Sequence, residues 1–206
     1  MATRSAFIYE QAKGEFDLTR LCEVLEPLGL TLEHPTKGAV LMLNNEGDQI
    51  SISQVELEAR IRRGVDTSFQ FWYSEDHDLF ARVRRNLSIR IIEFGLEGTN
   101  EGERTALGGA LRKYFDEQAE AGLGLVFDPD GVIEDYDWDR FFIKGDALRQ
   151  EVFSAGLPDL LLISHSLAHG AAGIPSRPYP NGIMVTRDRS GVFAEEWPNY
   201  PAIKDA

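Results

Sequence analysis

Between Ser68 and Phe94 the chain carries three runs rich in aromatic and β-branched residues, Ser68–Tyr73, Leu79–Arg84 and Ser88–Phe94, separated only by polar turns at Ser74–Asp78 and Arg85-Asn86. Runs of this kind fit a pleated surface, and links this short join neighbouring strands antiparallel, because a parallel return needs a crossover of a dozen residues or more. The stretch is therefore predicted to be a three-stranded antiparallel meander. It sets the expected fold class: an α+β protein whose mostly antiparallel sheet packs against two or three helices.

The flanking segments supply the rest. Ala6–Glu10 reads as a strand, and Asp17 can cap a helix whose apolar face is Leu18, Leu21, Cys22, Val24, Leu25 and Leu28, closed by Pro27 and Gly29. Leu30–Glu33 and Ala39–Leu43 are predicted strands around His34–Gly38, with a further turn at Asn44–Asp48, so the opening reads β-α-β-β. Ser53 and Glu56 have the spacing of a capping box ahead of a short helix, although Val55, Leu57, Ala59 and Ile61 also alternate as a strand would.

After the meander, Asn100 and Glu103 predict the start of a long helix whose one face is Leu107, Ala110, Leu111, Tyr114, Phe115 and Ala119 and which stops at Gly122; Gly108 and Gly109 suggest close packing against a sheet, or else a weak point in the helix. Leu123–Phe127 and Leu160–Ile163 read as strands and Asp146–Ala155 as a helix. From residue 170 onward prolines and glycines predict a loop-rich extension, with strand-like pieces only at Ile183–Thr186 and Val192–Ala194. A single domain over residues 1–206 is expected, with a sub-boundary allowed near Gly131.

Charge narrows the functional classes. Thirty-four acidic against twenty-one basic side chains leave a net charge of −13, which opposes attraction to phosphate backbones and anionic lipid and favours a basic partner. Neither a nucleic acid nor a membrane is an expected partner, since no apolar run reaches the ~18 residues of a span. The first residues, Met1-Ala2-Thr3-Arg4-Ser5, lack the apolar segment of a secretory leader, and the lone Cys22 suits a reducing compartment, so a cytoplasmic location is expected. Cys22 shares the apolar face of its helix and reads as a buried structural thiol.

From Asp128 to Asp139 stand six acids, Asp128, Asp130, Glu134, Asp135, Asp137 and Asp139, with Tyr136 and Trp138 among them and no basic residue. Like charges so close repel unless a cation or basic partner neutralises them, and aromatics among them offer contact area. This segment is the predicted partner-binding surface of a non-catalytic protein-binding module. The other reading of the same residues is a solvated acidic loop whose Tyr136 and Trp138 turn inward. Small acidic proteins of mixed topology are similar in texture to immunity proteins, which implies an inhibitor-type role against a basic protein.

The stretch Leu125-Val126-Phe127-Asp128-Pro129-Asp130-Gly131 resembles the first motif of the haloacid-dehalogenase-like phosphohydrolases, and Leu160–Ser164 looks like that family's apolar strand ending in a phosphate-binding serine or threonine. The resemblance implies, as the alternative function, a magnesium-dependent phosphohydrolase with Asp128 as nucleophile and Asp130 as acid/base. The family's later lysine and acidic pair have no counterpart in the right order, since beyond Ser164 the only lysine is Lys204, at the extreme C-terminus, and Asp188 follows the strand-like Ile183–Thr186 as a single acid ahead of it. Asp128-Pro129-Asp130-Gly131 is also a good type I turn. As a calcium loop it fails, because Ile133 occupies the glycine position.

No further constellation is complete. His165 and His169 have the i,i+4 spacing of a zinc pair without a third ligand, and no Walker or dinucleotide glycine motif is present, so no metal and no cofactor is predicted. The arginines at 60, 62, 63, 82, 84, 85 and 90 have acidic neighbours and read as a sheet face laced with ion pairs.

Overall fold

A computed structural model describes residues 4–13, 16–44, 46–118, 120–133, 136–148, 153 and 156–187. Ten strands form one sheet: β1 (Ser5–Gln11), β2 (Val40–Leu43), β3 (Gln49–Ile52), β4 (Thr67–Ser74), β5 (His77–Asn86), β6 (Ile89–Gly95), β7 (Gly122–Asp128), β8 (Leu160–Ser164), β9 (Arg177–Tyr179) and β10 (Gly182–Thr186). Their order is β3-β2-β4-β5-β6-β1-β7-β8-β10-β9, and every pairing is antiparallel. Four α-helices accompany them: α1 (Leu18–Leu25), α2 (Gln54–Arg62), α3 (Glu101–Glu117) and α4 (Trp138–Phe142). The expected α+β class with a large antiparallel sheet is what forms, the β4-β5-β6 meander included.

The centre of the sheet has a definite connectivity. Both β6 and β7 run antiparallel to β1 between them, so the β6-α3-β7 crossover steps over one strand; likewise β1 and β5, each antiparallel to β6 between them, run parallel to one another. This is the β-α-β-β-α-β arrangement of a split βαβ, with β2, β3, α2 and β4 inserted into its first crossover.

Local chemistry explains each helix. Asp17 accepts from the Arg20 amide at 2.9 Å, Ser53 from Glu56 at 3.1 Å, and Asn100 and Glu103 form a reciprocal capping box. At α2 the helical reading prevails over the alternating one: Leu57 and Ile61, one turn apart, are buried, whereas Val55 is 76% exposed.

The sheet is covered on both faces. Over one lie α1, α2 and α3, whose Leu21, Leu25, Leu57, Leu111 and Phe115 pack with Ile8, Phe69, Phe71, Val83, Ile92, Leu125 and Leu162 of the strands. Over the other, Ile133, Trp138, Phe141, Phe142, Leu148 and Ile174 cover Tyr9, Ile91, Val126, Leu161 and Ile163. The unbroken Leu160-Leu161-Leu162-Ile163 run of β8 is thus a strand buried on both sides.

Several expectations change. The second hairpin pairs Val40–Leu43 with Gln49–Ile52 around the 44–48 turn, while Thr31 and Glu33 make only isolated bridges to Trp72 and Val40. Asn44 decides this: its side-chain oxygen accepts from the Glu46 and Asp48 amides and closes the tighter turn. α3 ends at Glu117, and Gly122 instead opens β7, where a Cβ would come 2.8 Å from the Phe115 ring. Gly108 sits against Phe127 as close packing requires, but Gly109 faces open space. The Asp146–Ala155 helix does not begin at Asp146, Ala147 or Leu148, and residues 149–152 and 154–155 lie outside the described residues, as do Ala119 and the Val192–Ala194 strand.

Candidate functional site

Asp128 closes β7 and is 3% exposed. One carboxylate oxygen accepts the Val132 amide at 3.0 Å, the other the Ile133 amide at 2.9 Å, and its carbonyl accepts the Gly131 amide. The predicted turn therefore forms, with Asp128 satisfying backbone donors that burial would leave unpaired.

Asp130 pairs with Arg187 at 3.0 Å, from the far side of the sequence. Arg187 also donates to the Leu157 carbonyl and approaches buried Asp159 at 3.5 Å. Burial pushes the Asp159 carboxyl above its ordinary range, the charge of Asp128 adds to this, and Arg187 opposes it.

From Trp138 on, the segment covers the sheet face that carries Tyr9, Ile91 and Val126. Glu134 and Asp135 lie outside the described residues. Asp137 is exposed and caps α4, its side chain accepting the Asp139 amide at 3.1 Å. Trp138 is 5% exposed, with Tyr136 edge-on to it at 4.7 Å and half-buried. Phe142, one turn on, stacks on Tyr9 at 4.3 Å, directly over Gly124; a Cβ there would fall 2.0 Å from the Phe142 ring. Glycine in mid-strand is thus the seat of an aromatic from the covering layer.

Asp139 ends the segment in a fork. Arg84 donates to its two oxygens at 2.7 and 2.9 Å, and the Tyr9 hydroxyl donates at 2.8 Å. Burial pushes the Asp139 carboxyl up, but the bonds from Arg84 and Tyr9 and the Arg84 charge outweigh it and hold it below the usual carboxylate range. Burial, reinforced by Asp139, raises the Tyr9 phenol correspondingly.

The inward reading thus describes Trp138, and four of the six acids, Asp128, Asp130, Asp137 and Asp139, accept from amides or arginines, Asp137 while remaining exposed. Sequence inspection missed Arg84, Arg187 and Tyr9 as partners because each lies more than fifty residues away, beyond any local pattern.

The geometry also bears on the phosphohydrolase motif. β7 and β8 are antiparallel, with Phe127 opposite Leu160 and Gly124 opposite Ile163, so Asp128 and Ser164 sit at opposite ends of the sheet, roughly 16 Å apart by strand rise. The chemistry the resemblance implies needs them at one end. Ser164 instead shares a hydrogen bond with Ser166 at 2.9 Å.

His165 lies in the turn after β8, within 3.3 Å of the Pro180 carbonyl, and His169 in a short 3-10 turn, so the pair shares no α-helical face. Among the described residues no three His, Cys, Asp or Glu side chains converge as metal ligands. Cys22 is half-buried rather than buried, and burial, followed by the charges of Glu58 and Asp17, pushes its thiol up to about 11.

The expected ion pairs form, but not on one sheet face: Arg82 pairs with Asp66 and Glu93 and Arg84 with Asp139 on the side of Ile91, Arg90 pairs with buried Glu10 at 2.6 Å on the helix-covered side over Phe16, and Arg60 pairs with Glu56 along α2. Arg82 stands opposite Ser68, while Phe69 and Phe71 face the helices. No protein-family model matches this chain, and no curated protein or solved structure matches it.

Proposed function

We propose that this chain is a non-catalytic binding protein, inhibitor-like in action, that presents the crest of its acidic segment to a basic surface on a protein partner. The crest is Tyr136 and Asp137 with their sequence neighbours Glu134 and Asp135. The observation that carries this reading is the exposure along the segment: Asp128, Asp130 and Asp139 are drawn in by amides and arginines at its two ends, whereas Asp137, although it caps α4 by accepting the Asp139 amide, stands exposed beside a half-exposed tyrosine. An aromatic beside an exposed charge is the composition of an interface anchor. A net charge of −13 would speed encounter with a basic protein and make the association salt-sensitive.

Affinity capture from native lysate, comparing the wild type with the combined variant Glu134→Gln, Asp135→Asn, Asp137→Asn, tests this. One basic protein retained stoichiometrically by the wild type, and lost both with the variant and at high salt, is the expected result. Recovery of the same material by both proteins would remove the crest as the recognition surface. Arg84, Arg187, Asp128 and Asp139 are left untouched in the variant, so the anchoring contacts of the segment persist.

A further inference from the structure

The two edges of the sheet are defended unequally against a further strand. β9 is three residues long with Pro178 at its centre, which has no N–H to offer a neighbour. β3, Gln49-Ile50-Ser51-Ile52, forms the other edge with no proline, no charged residue and no bulge in its pairing with β2. Those are the devices that keep natural edge strands from pairing again. Gln49 and Ser51 are both exposed.

The 44–48 turn fixes which backbone groups of β3 face outward. The Asn44 amide donates to the Asp48 carbonyl at 2.9 Å, so these two residues form a hydrogen-bonded pair at the head of the hairpin. Bonded and non-bonded pairs alternate along an antiparallel ladder. Met42–Ile50 and Val40–Ile52 are therefore the bonded pairs, and Leu43–Gln49 and Leu41–Ser51 the non-bonded ones. The bond from the His34 amide to the Ala39 carbonyl, beside the Glu33–Val40 bridge, gives Val40 the same orientation from the other side. The N–H and C=O groups of Gln49 and Ser51 consequently point away from β2, and among the described residues no backbone group answers them. The Gln49 side chain is held over the sheet face, off the edge, by its bond to Gln70 Oε1 at 2.8 Å.

Charge decides what could pair there. Glu46 and Asp48 stand exposed on the turn at one end of β3, and Glu56, also exposed, and Glu58 follow on α2 at the other. Arg60, the first base of α2, is already paired with Glu56. A second copy of the chain would meet β3 about a twofold axis at Ile50, setting Asp48 opposite Ile52 and Glu46 opposite Gln54, beside Glu56 of the other copy. Like charges would then face one another, which opposes self-pairing. On the helix-covered face the edge presents half-buried Ile50 and buried Ile52.

From these features we infer that the β3 edge receives an extended segment of a basic protein as an added strand. Its main chain bonds Gln49 and Ser51, its apolar side chains lie beside Ile50 and Ile52, and its lysines or arginines meet Glu46 and Asp48. This edge shares no residue with the acidic crest, so either reading can fail without the other.

Amide resonances of the isotopically labelled full chain at low salt test it. The probe is the capped peptide Lys-Val-Thr-Val-Thr-Lys, compared with its form N-methylated at the interior amides and with a form carrying glutamate for lysine. The lysine peptide should shift the Gln49 and Ser51 amides saturably and more than those of Ile50 and Ile52. N-methylation should weaken binding by about tenfold or more, and so should Ser51→Pro, which removes an outward N–H without touching the ladder to β2. The double variant Glu46→Gln, Asp48→Asn should weaken it by about threefold. If Ser51→Pro does not fold, the three peptides on the wild type still decide. Absence of saturable shifts, equal binding of the methylated peptide, or unchanged binding to folded Ser51→Pro would overturn the added strand. Equal or tighter binding of the glutamate peptide would overturn the basic partner, as would a wild-type dimer in sedimentation that Ser51→Pro abolishes, since that gives the edge to a second copy.

Discussion

The acidic segment 128–139, six acids without a base, and the stretch 60–90, seven arginines with acids among them, both read in sequence as charge clusters with aromatics nearby, and they meet different ends in the fold. In the acidic segment the described charges are largely spent inside the molecule, as a turn cap at Asp128 and as arginine partners at Asp130 and Asp139. In the basic stretch Arg60, Arg82, Arg84 and Arg90 are ion-paired, while Arg85, near the end of β5, lines a cavity and donates to the Leu87 carbonyl. The two regions share a bond, Arg84 to Asp139, across fifty-five residues. A run of like charge in sequence therefore does not translate into a patch of like charge on the surface, because folding brings counterions to it from elsewhere.

The largest expected effect sharpens the first half of that comparison. Trp138 sits among Tyr136, Phe142 and Phe153 with 5% of its surface exposed. Trp138→Ala should cost about 3–5 kcal/mol of stability, read from chemical denaturation at neutral pH. A cost below about 1 kcal/mol would place the indole among surface groups and return it to the interface.

Next comes the bond that joins the two regions. Asp139→Asn should lose about 1–2 kcal/mol at neutral pH, more than an exposed ion pair because the fork is half-buried and also takes the Tyr9 hydroxyl. The folded carboxyl titrates below its ordinary value. Its contribution is therefore complete above the unfolded pKa of about 3.9 and is lost as pH falls through the lower, folded value. The wild-type advantage over Asp139→Asn should thus hold from neutral pH to about pH 5 and shrink toward pH 3 and below. An advantage independent of pH would mean that the amide forfeits packing rather than charge. Arg85→Gln should by contrast move stability by less than about 0.5 kcal/mol, as expected of a charge the fold does not use.

Much of the fold is legible in the sequence because its signals are local. Capping residues Asp17, Ser53 and Asn100, the aromatic runs of the meander and the apolar run of β8 each declare themselves within a few residues. The candidate sites are less legible because their chemistry is assembled at long range. Asp130 meets Arg187 and Tyr9 meets Asp139 only once β1, β7 and β10 are in one sheet. The phosphohydrolase motif shows the same thing from the other direction: two plausible strand ends were readable, but strand direction was not, and antiparallel pairing sends Asp128 and Ser164 to opposite ends.

The smallest effect concerns that turn. A leucine at φ 55° carries a steric cost of roughly 1–2 kcal/mol that glycine does not, while glycine gives back part of this by widening the unfolded ensemble. Leu87→Gly should therefore stabilise the chain by about 0.5–1 kcal/mol in denaturant midpoints, since the side chain is 79% exposed and little packing is at stake. The carbonyl that holds Arg85 is backbone and survives the change. A loss of stability instead would mean that the leucine side chain supports the turn. In that case its exposure would belong to folding rather than to the cavity beside it, and the contrast between spent and unspent residues would stop at Arg85.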